Sequence, residues 1–592
     1  MPDARNAIPA PRALGERSIR GGDKLRPDGL NWHKPEDDIL NILTGDGPWN
    51  YKAIQVRRQA KLQAFGQADS DPWAAMSQQE RKAARCRAEL ERPTITWSPI
   101  TLDVVKQNHF RSAPGLFYGL EFPWTAQGLS ELGPEWLTEA FHAAKTLPED
   151  NWITGLVMEK VIKITAGNNA AKFLFEVKYA RPSPELHTKL FAKCCFPMTP
   201  ATQTDRLSSS VYKQPMDFLE LNTYRCLEGS LPVNTPKFYF GDISNETSNW
   251  VLITERVLFT EIHGIDLSKE MKPFDIEGPY DKCKDWMLRG EDKEYYLLLC
   301  DQHARIAAAY KQGKIPWNYG TPPTDPAAYA MNPKQATGES PTLCRTKLQS
   351  ALRFMSETAA PLYQPYLSEE DFQNRWTDTM LKLNAYSNEL RYWKMKEQDY
   401  VSLGHGNLNT DNAYFWRDGG GQLDCGIFDF GGFGVSSLPH NLWWMLNMAE
   451  IDQVMHNLDT YIEAFVSRYK EYGGPSLDLA TVRMMVIITA LQNTSMMVAA
   501  VPNTLKMCPA KEWATIKDRH DPRVASNVDG KSTLRSCVHV LNSTTRIFEE
   551  LSGGAVLEQW VQEVYVGQWG KAAKSEAVIN TGQEGGTARW GV

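Results

Sequence analysis

Two short segments constrain this chain more than any others: HGNLNTDN, His405 to Asn412, and GIFDFGGFG, Gly426 to Gly434. The first reads as a polar loop. The second reads as a short apolar strand, Gly426-Ile427-Phe428, running into Asp429 and a group of glycines. Two short strands around such a loop bring Asn412 and Asp429 to one side of a cleft, an amide oxygen beside a carboxylate. Oxygen ligands of this kind hold Mg²⁺ against nucleotide phosphates. The glycines after Asp429 let the backbone turn sharply beside such a group.

The rest of the chain changes pattern once. GPEWLTEAFHAAK, from Gly133, has helical spacing. VMEKVIKITAG, AAKFLFEVKYA and TKLFAKCCF are β-rich and are separated by the turn Gly167-Asn168-Asn169 and by RPSPELH, which predicts an antiparallel meander. A helix (FLELNTYRCL) and two strands (KFYFGDIS, NWVLITER) follow. From about residue 260 the patterns are helical, interrupted by KIPWNYGTPPTDPAAYAMNPKQATGESPT, which reads as a lid or a disordered insertion. The predicted class is therefore α+β, a small antiparallel β-rich lobe before a larger helical lobe. The expected organisation is a partly disordered extension or packed arm over 1–110, the first lobe with its leading helix over 111–256, the helical lobe over 257–570 and a disordered tail over 571–592. Met484 to Val501 is apolar but contains Gln492, Asn493, Thr494 and Ser495, so it reads as a buried core helix and not a membrane span.

Composition supports this class and excludes others. The chain has 592 residues, 42% hydrophobic and 23% charged, enough for two or three domains with real cores. A net charge of -7 argues against a nucleic-acid partner. The ten cysteines form no C-x-x-C pair and no secretory signal precedes them, so reduced thiols and a cytoplasmic location are expected.

The two opening motifs resemble those of the aminoglycoside phosphotransferase and choline kinase group, especially its ecdysteroid kinase-like branch. Its members carry H-G-D-x-x-x-x-N and then a strand ending in D-F, D-W or D-Y. His405, Gly406, Leu408 and Asn412 fit the first pattern, and Asp429-Phe430-Gly431 fits the second. The resemblance implies a protein kinase-like two-lobed fold that uses ATP or GTP with Mg²⁺ to phosphorylate an alcohol of a small molecule. It also implies roles. Lys193 on the third strand grips the phosphates and Glu220 on the next helix holds that lysine, with Lys178 as the runner-up. Gly167 lies in the turn that takes the place of a phosphate-covering loop. The Glu255 carbonyl and the Val257 amide meet the adenine edge. Asn412 and Asp429 hold the metal, and His405 braces the loop. Gln302 to Tyr310 and Pro439 to Leu446 are similar to further family segments, with Asn441 in place of an Asp. The likeness covers roughly 134–570.

One departure matters most. Asn407 stands where the family has its catalytic Asp. An amide accepts a hydrogen bond but cannot take a proton at pH 7. General-base help contributes ~10²–10⁴-fold, yet phosphoryl transfer rests mainly on positioning and charge stabilisation. A slowed enzyme is therefore expected. Asp411 is a substitute base, although its side chain is expected to face the loop backbone. The alternative is a pseudokinase: a nucleotide-binding or structural scaffold whose extension binds a protein partner. Trp376, Tyr392, Trp393, Trp443 and Trp444 suit an aromatic wall for a cationic substrate, but adjacent tryptophans diverge on a helix, so core packing is the preferred reading.

Overall fold

The computed structural model describes residues 76–92, 98–162, 170–199, 202–260, 265–528 and 531–585. Most of the expected extension and the turn holding Gly167 lie outside them.

Helix α1 (Gln78–Leu90) is followed by α2 (Ala126–Ala143), which bends at Gly133 (φ 69°) just before Pro134. Then come β1 (Ile153–Ile162), β2 (Ala170–Tyr179), β3 (Lys189–Cys195), α3 (Gln214–Asn222), β4 (Phe238–Ile243) and β5 (Trp250–Glu255). The five strands form one antiparallel sheet in the order β1-β2-β3-β5-β4. Phe173, Phe175 and Val177 of β2 alternate into the core, the period expected of a strand packed on one face. α2 covers β1 and sets Trp136 edge-on to Phe240 at 5.3 Å. The expected meander and its two later strands are present, and the class is α+β as predicted.

α1 shows why a polar pattern need not mean a loose segment. It opens with a capping box between Ser77 and Glu80. Its inner face buries Arg85, Cys86 and Glu89. Arg85 pairs with Glu228 and donates to the carbonyls of Arg225 (3.0 Å) and Tyr224 (3.2 Å), while Glu89 pairs with Arg225. Arg225 lies over the Phe117 ring at 4.3 Å. The helix is thus fixed by buried ions with satisfied hydrogen bonds, on the turns that directly follow α3.

The helical part contains α4 (Asp292–Lys311), α5 (Glu370–Ala385), α6 (Ser387–Lys396), the short strands β6 (Val401–Gly404), β7 (Ala413–Arg417), β8 (Leu423–Ile427) and β9 (Gly434–Ser437), then α7 (Leu438–Leu446), α8 (Ile451–Glu471), α9 (Leu479–Leu505), α10 (Thr533–Glu550) and α11 (Glu576–Thr581). β6 pairs with β9, and β7 with β8. α9 is long and apolar enough to cross a membrane by length and composition. Its two sides explain that apolarity: Val482, Val486, Ile487 and Ala490 enter one core, while Met485, Ile488, Leu491, Val498 and Val501 enter a second. A helix between two cores has no polar face to display.

Two expectations need correction. The long segment after Lys314 is neither a free lid nor without structure: Trp317 packs on Phe433 (5.9 Å), Tyr319 on Phe218 of α3 (6.4 Å), and a 3₁₀ turn spans Pro326–Tyr329. The tail from 571 is likewise tied down as far as 585. Lys574 is fully buried against Glu389 at 2.7 Å and donates to the carbonyls of Gln335 and Ala385, both at 2.8 Å. Glu389 also accepts from the Asn332 amide (3.2 Å) and the Thr337 hydroxyl (2.6 Å). One lysine therefore closes the tail, the 314–340 segment and α6 together, which residue composition alone does not reveal.

Candidate active site

The antiparallel register places Lys193 in the middle of β3, opposite Leu252 on one side and Lys172 on the other. Its Nζ lies 2.8 and 2.7 Å from the Glu220 oxygens and 2.9 Å from Asp429 Oδ1. Lys193 and Glu220 are buried, whereas the Asp429 side chain is 47% exposed. Burial opposes the charge on Lys193, but Asp429 and Glu220 outweigh it and raise its pKa. Burial likewise opposes ionisation of Asp429. Lys193, and beyond it Lys172 and Lys282, hold that carboxyl well below its usual range. Burial pushes Glu220 up against the pull of Lys193, with Asp429 adding to the push. Lys178, six residues along β2 from Lys172, is exposed and roughly 20 Å away along the strand.

The loop between β6 and β7 carries the next group. Gly406 has φ +73°, and a Cβ there would lie 2.4 Å from the Gly432 carbonyl, so only glycine lets the two loops approach. His405 is buried, and its Nε2 donates to the Phe428 carbonyl at 2.9 Å, fixing the peptide that leads into Asp429. Burial lowers the His405 pKa, so the ring is neutral. Phe430 packs between His405 (5.2 Å), Phe433 (5.3 Å) and Tyr224 (5.3 Å). Asp429 itself adopts the left-handed conformation, φ 66° and ψ 57°, an uncommon state for a non-glycine residue.

Asn412 precedes Ala413, whose partner across the β7–β8 hairpin is Ile427, so Asn412 and Asp429 emerge at the same end of that hairpin. Asn412 Nδ2 donates to the Asn407 carbonyl at 2.6 Å, which leaves the amide oxygen for a cation. An amide oxygen beside a half-exposed carboxylate is the donor set that fits Mg²⁺. Asn407 is partly exposed at the mouth of this group.

Three charged residues completed the site without being assigned to it from the sequence, or were oriented wrongly. Lys172 faces the cleft beside Lys193. Two like charges directly opposite on a sheet are unfavourable by themselves, and burial with Lys193 lowers the Lys172 pKa. The alternation of β2 with β3 would have found it, had the connecting segment fixed the register. Lys282, from the segment before α4, reaches Asp411 at 3.4 Å. No local signal marks it. Asp411 does not face the loop backbone as expected: its side chain is 8% exposed, turned toward Lys282, and Oδ1 is buried with no hydrogen-bond partner. Burial raises its pKa against Lys282. The cleft thus gathers Lys172, Lys193 and Lys282 with Glu220, Asp411 and Asp429.

The expected adenine-edge residues sit at the end of β5. The Glu255 carbonyl accepts from the Thr254 hydroxyl at 3.0 Å, and the Val257 carbonyl accepts from the Phe259 amide at 3.1 Å. Asn441 lies behind the loop: it accepts from Ser436 at 3.0 Å, and its Nδ2 is buried under Gly404. The tryptophans form no common wall. Trp443 belongs to one core, Trp376 and Trp393 to the other.

No family model matches this sequence, and no curated protein matches it. Among solved structures the chain is similar to a microcompartment-associated aminopropanol kinase, with 13% identity over 67% of this chain and 94% of that one and a TM-score of 0.33. It is similar to the GDP complex of an aminoglycoside 2′-phosphotransferase (15% identity, 66% and 93% covered, TM-score 0.31). It is also similar to a spectinomycin phosphotransferase in complex with ADP and spectinomycin (12% identity, 69% and 94% covered, TM-score 0.30).

Proposed function

We propose that this chain is a phosphotransferase of the aminoglycoside phosphotransferase and choline kinase type, nearest the ecdysteroid kinase-like branch, moving the γ-phosphate of ATP or GTP to an alcohol of a small molecule. The observation that carries this reading is Lys193 held between Glu220 and Asp429, with Lys172 directly opposite. Two ammonium groups facing one cleft suit the phosphates of a nucleotide. Asn412 and Asp429 would hold Mg²⁺, which neutralises charge developing on the phosphates when bound. His405 keeps the Asp429 peptide in place. The Glu255 carbonyl and Val257 amide would take the adenine edge, and the turn at Gly167, outside the described residues, would cover the phosphates.

In this reading Asn407 orients the acceptor hydroxyl through its amide oxygen but does not remove the proton. That substitution also favours a second reading, a pseudokinase that binds nucleotide without turnover. Thermal-shift titration with ATP and GTP, each with and without Mg²⁺, tests both. A Mg²⁺-dependent rise in melting temperature is expected, followed by phosphorylation of small alcohols in the first reading only. No shift with either nucleotide would remove both.

A further inference from the structure

Outside the candidate active site, a cavity of about 340 Å³ lies between α1, residues 145–151, residues 181–186 and the start of β4. Six cations line it: Arg81, Lys82, Arg85, Lys145, Arg181 and Lys237. Of the four lining carboxylates, three are already engaged. Glu228 pairs with Lys82 (3.1 Å) and Arg85, Glu185 with Arg81, and Asp150 with Arg181. Glu149, the fourth, is exposed. The cavity therefore carries an excess of positive charge once its internal pairs are formed.

Lys145 and Lys237 are left without an acid in contact; Lys145 is exposed, whereas Lys237 is partly buried. The Lys237 Nζ donates to the Glu185 carbonyl at 2.8 Å and lies 5.1 Å from the centre of the Tyr239 ring. Burial lowers its pKa to about 8; Glu228 and Glu185 oppose the shift, while Lys82 and Arg81 add to it. A partly buried ammonium with only neutral contacts, in a positively lined cavity, calls for an anion. The volume suits a small molecule. The partly exposed forks of Arg81 and Arg181 match phosphate geometry better than that of a halide.

We infer that this cavity binds a small phosphate-bearing anion, with Lys237 as its central cation. Bound there, the anion joins Arg81 and Lys82 of α1 to the sheet. The same helix holds Arg225, on the turns that follow α3 and its Glu220. The site therefore lies where occupancy tightens α1 against the β-rich lobe.

The test is isothermal titration of the full chain with pyrophosphate and with inorganic phosphate, each against sodium chloride of equal ionic strength. Saturable binding is expected in the wild type and should persist, one-to-one, in Lys193→Met, which separates this cavity from the active site. Lys237→Met should weaken binding about tenfold or more, as loss of a charged hydrogen bond does, while Lys237→Arg retains it. Arg181→Gln, at a side chain 60% exposed, should weaken it about threefold and serves if Lys237→Met does not fold. Heat no greater than that of chloride, or binding that survives Lys237→Met or Arg181→Gln unchanged, overturns the assignment. So does binding lost in a Lys193→Met chain whose circular dichroism shows it folded.

Discussion

Lys193 and Asp429 meet at 2.9 Å although 236 positions separate them in the sequence. That contact joins the β-rich part to the segment between β8 and β9 of the helical part, and Glu220 completes it from α3.

Replacing Lys193 by Met leaves the Glu220 carboxylate buried without its cation. Breaking such a pair costs about 3–5 kcal/mol, and the half-exposed Asp429 adds little, so the lower end is expected in urea unfolding. Glu220→Gln in the same chain should recover part of the loss. The pH window follows from the shifts. Lys193 is raised, so its contribution is complete below the ordinary 10.5 and is lost as pH rises through the folded value. Asp429 is lowered, so its contribution is present above 3.8 and is lost as pH falls through the folded value.

Asn407→Asp restores a proton acceptor at the mouth of the site. Nucleotide turnover should rise, by up to ~10²–10⁴-fold where proton transfer limits the rate, with the nucleotide-induced thermal shift unchanged. If Asp411 already takes that proton, Asp411→Asn lowers wild-type turnover and Asn407→Asp adds little. Steady-state ADP formation from ATP, measured on the two variants and their combination, distinguishes these outcomes.

The Glu89–Arg225 pair bolts α1 to the turns after α3. Arg225→Met should destabilise the protein by about 3–5 kcal/mol because Glu89 stays buried. A double-mutant cycle with Glu89→Gln should give a coupling above about 1 kcal/mol. Additive effects would show that this pair does not help to hold α1.

Lys394 is buried, and its ammonium meets only Gln492 (2.5 Å) and Thr489 (3.4 Å). Burial, with Arg391, lowers its pKa to about 7 from 10.5. The unfolded chain therefore binds more protons between these values, and this lysine costs stability most fully below pH 7. Lys394→Met should gain melting temperature relative to wild type as pH falls from 9 to 6. A difference that does not change with pH would contradict the assignment.

Local pattern made much of this legible. The alternation of β2 and β3 is written in Phe173, Phe175, Leu190 and Ala192, whereas the pairing of Lys193 with Glu220 was implied by the family resemblance and not by pattern alone. What was hidden depended on distant partners. α1 buries charges whose mates lie some 140 positions away, so no apolar stripe announced it. Lys172 needed the exact register of two strands. Lys282 and the orientation of Asp411 needed the path of a segment with no regular structure. The apolarity of α9 was visible, but not its reason, which is that two cores share it.

The Lys574–Glu389 pair has a consequence for the order in which the chain can be completed during synthesis. A nascent chain that has reached Gly570 contains α5, α6 and the 314–340 segment, but Glu389 has no cation to face. Final closure of that region must wait for Lys574 to emerge and swing back across 185 positions. A later part of the chain is thus the latch for a part made well before it, and a nascent chain stopped short of that lysine should remain open to chaperones and proteases around α6.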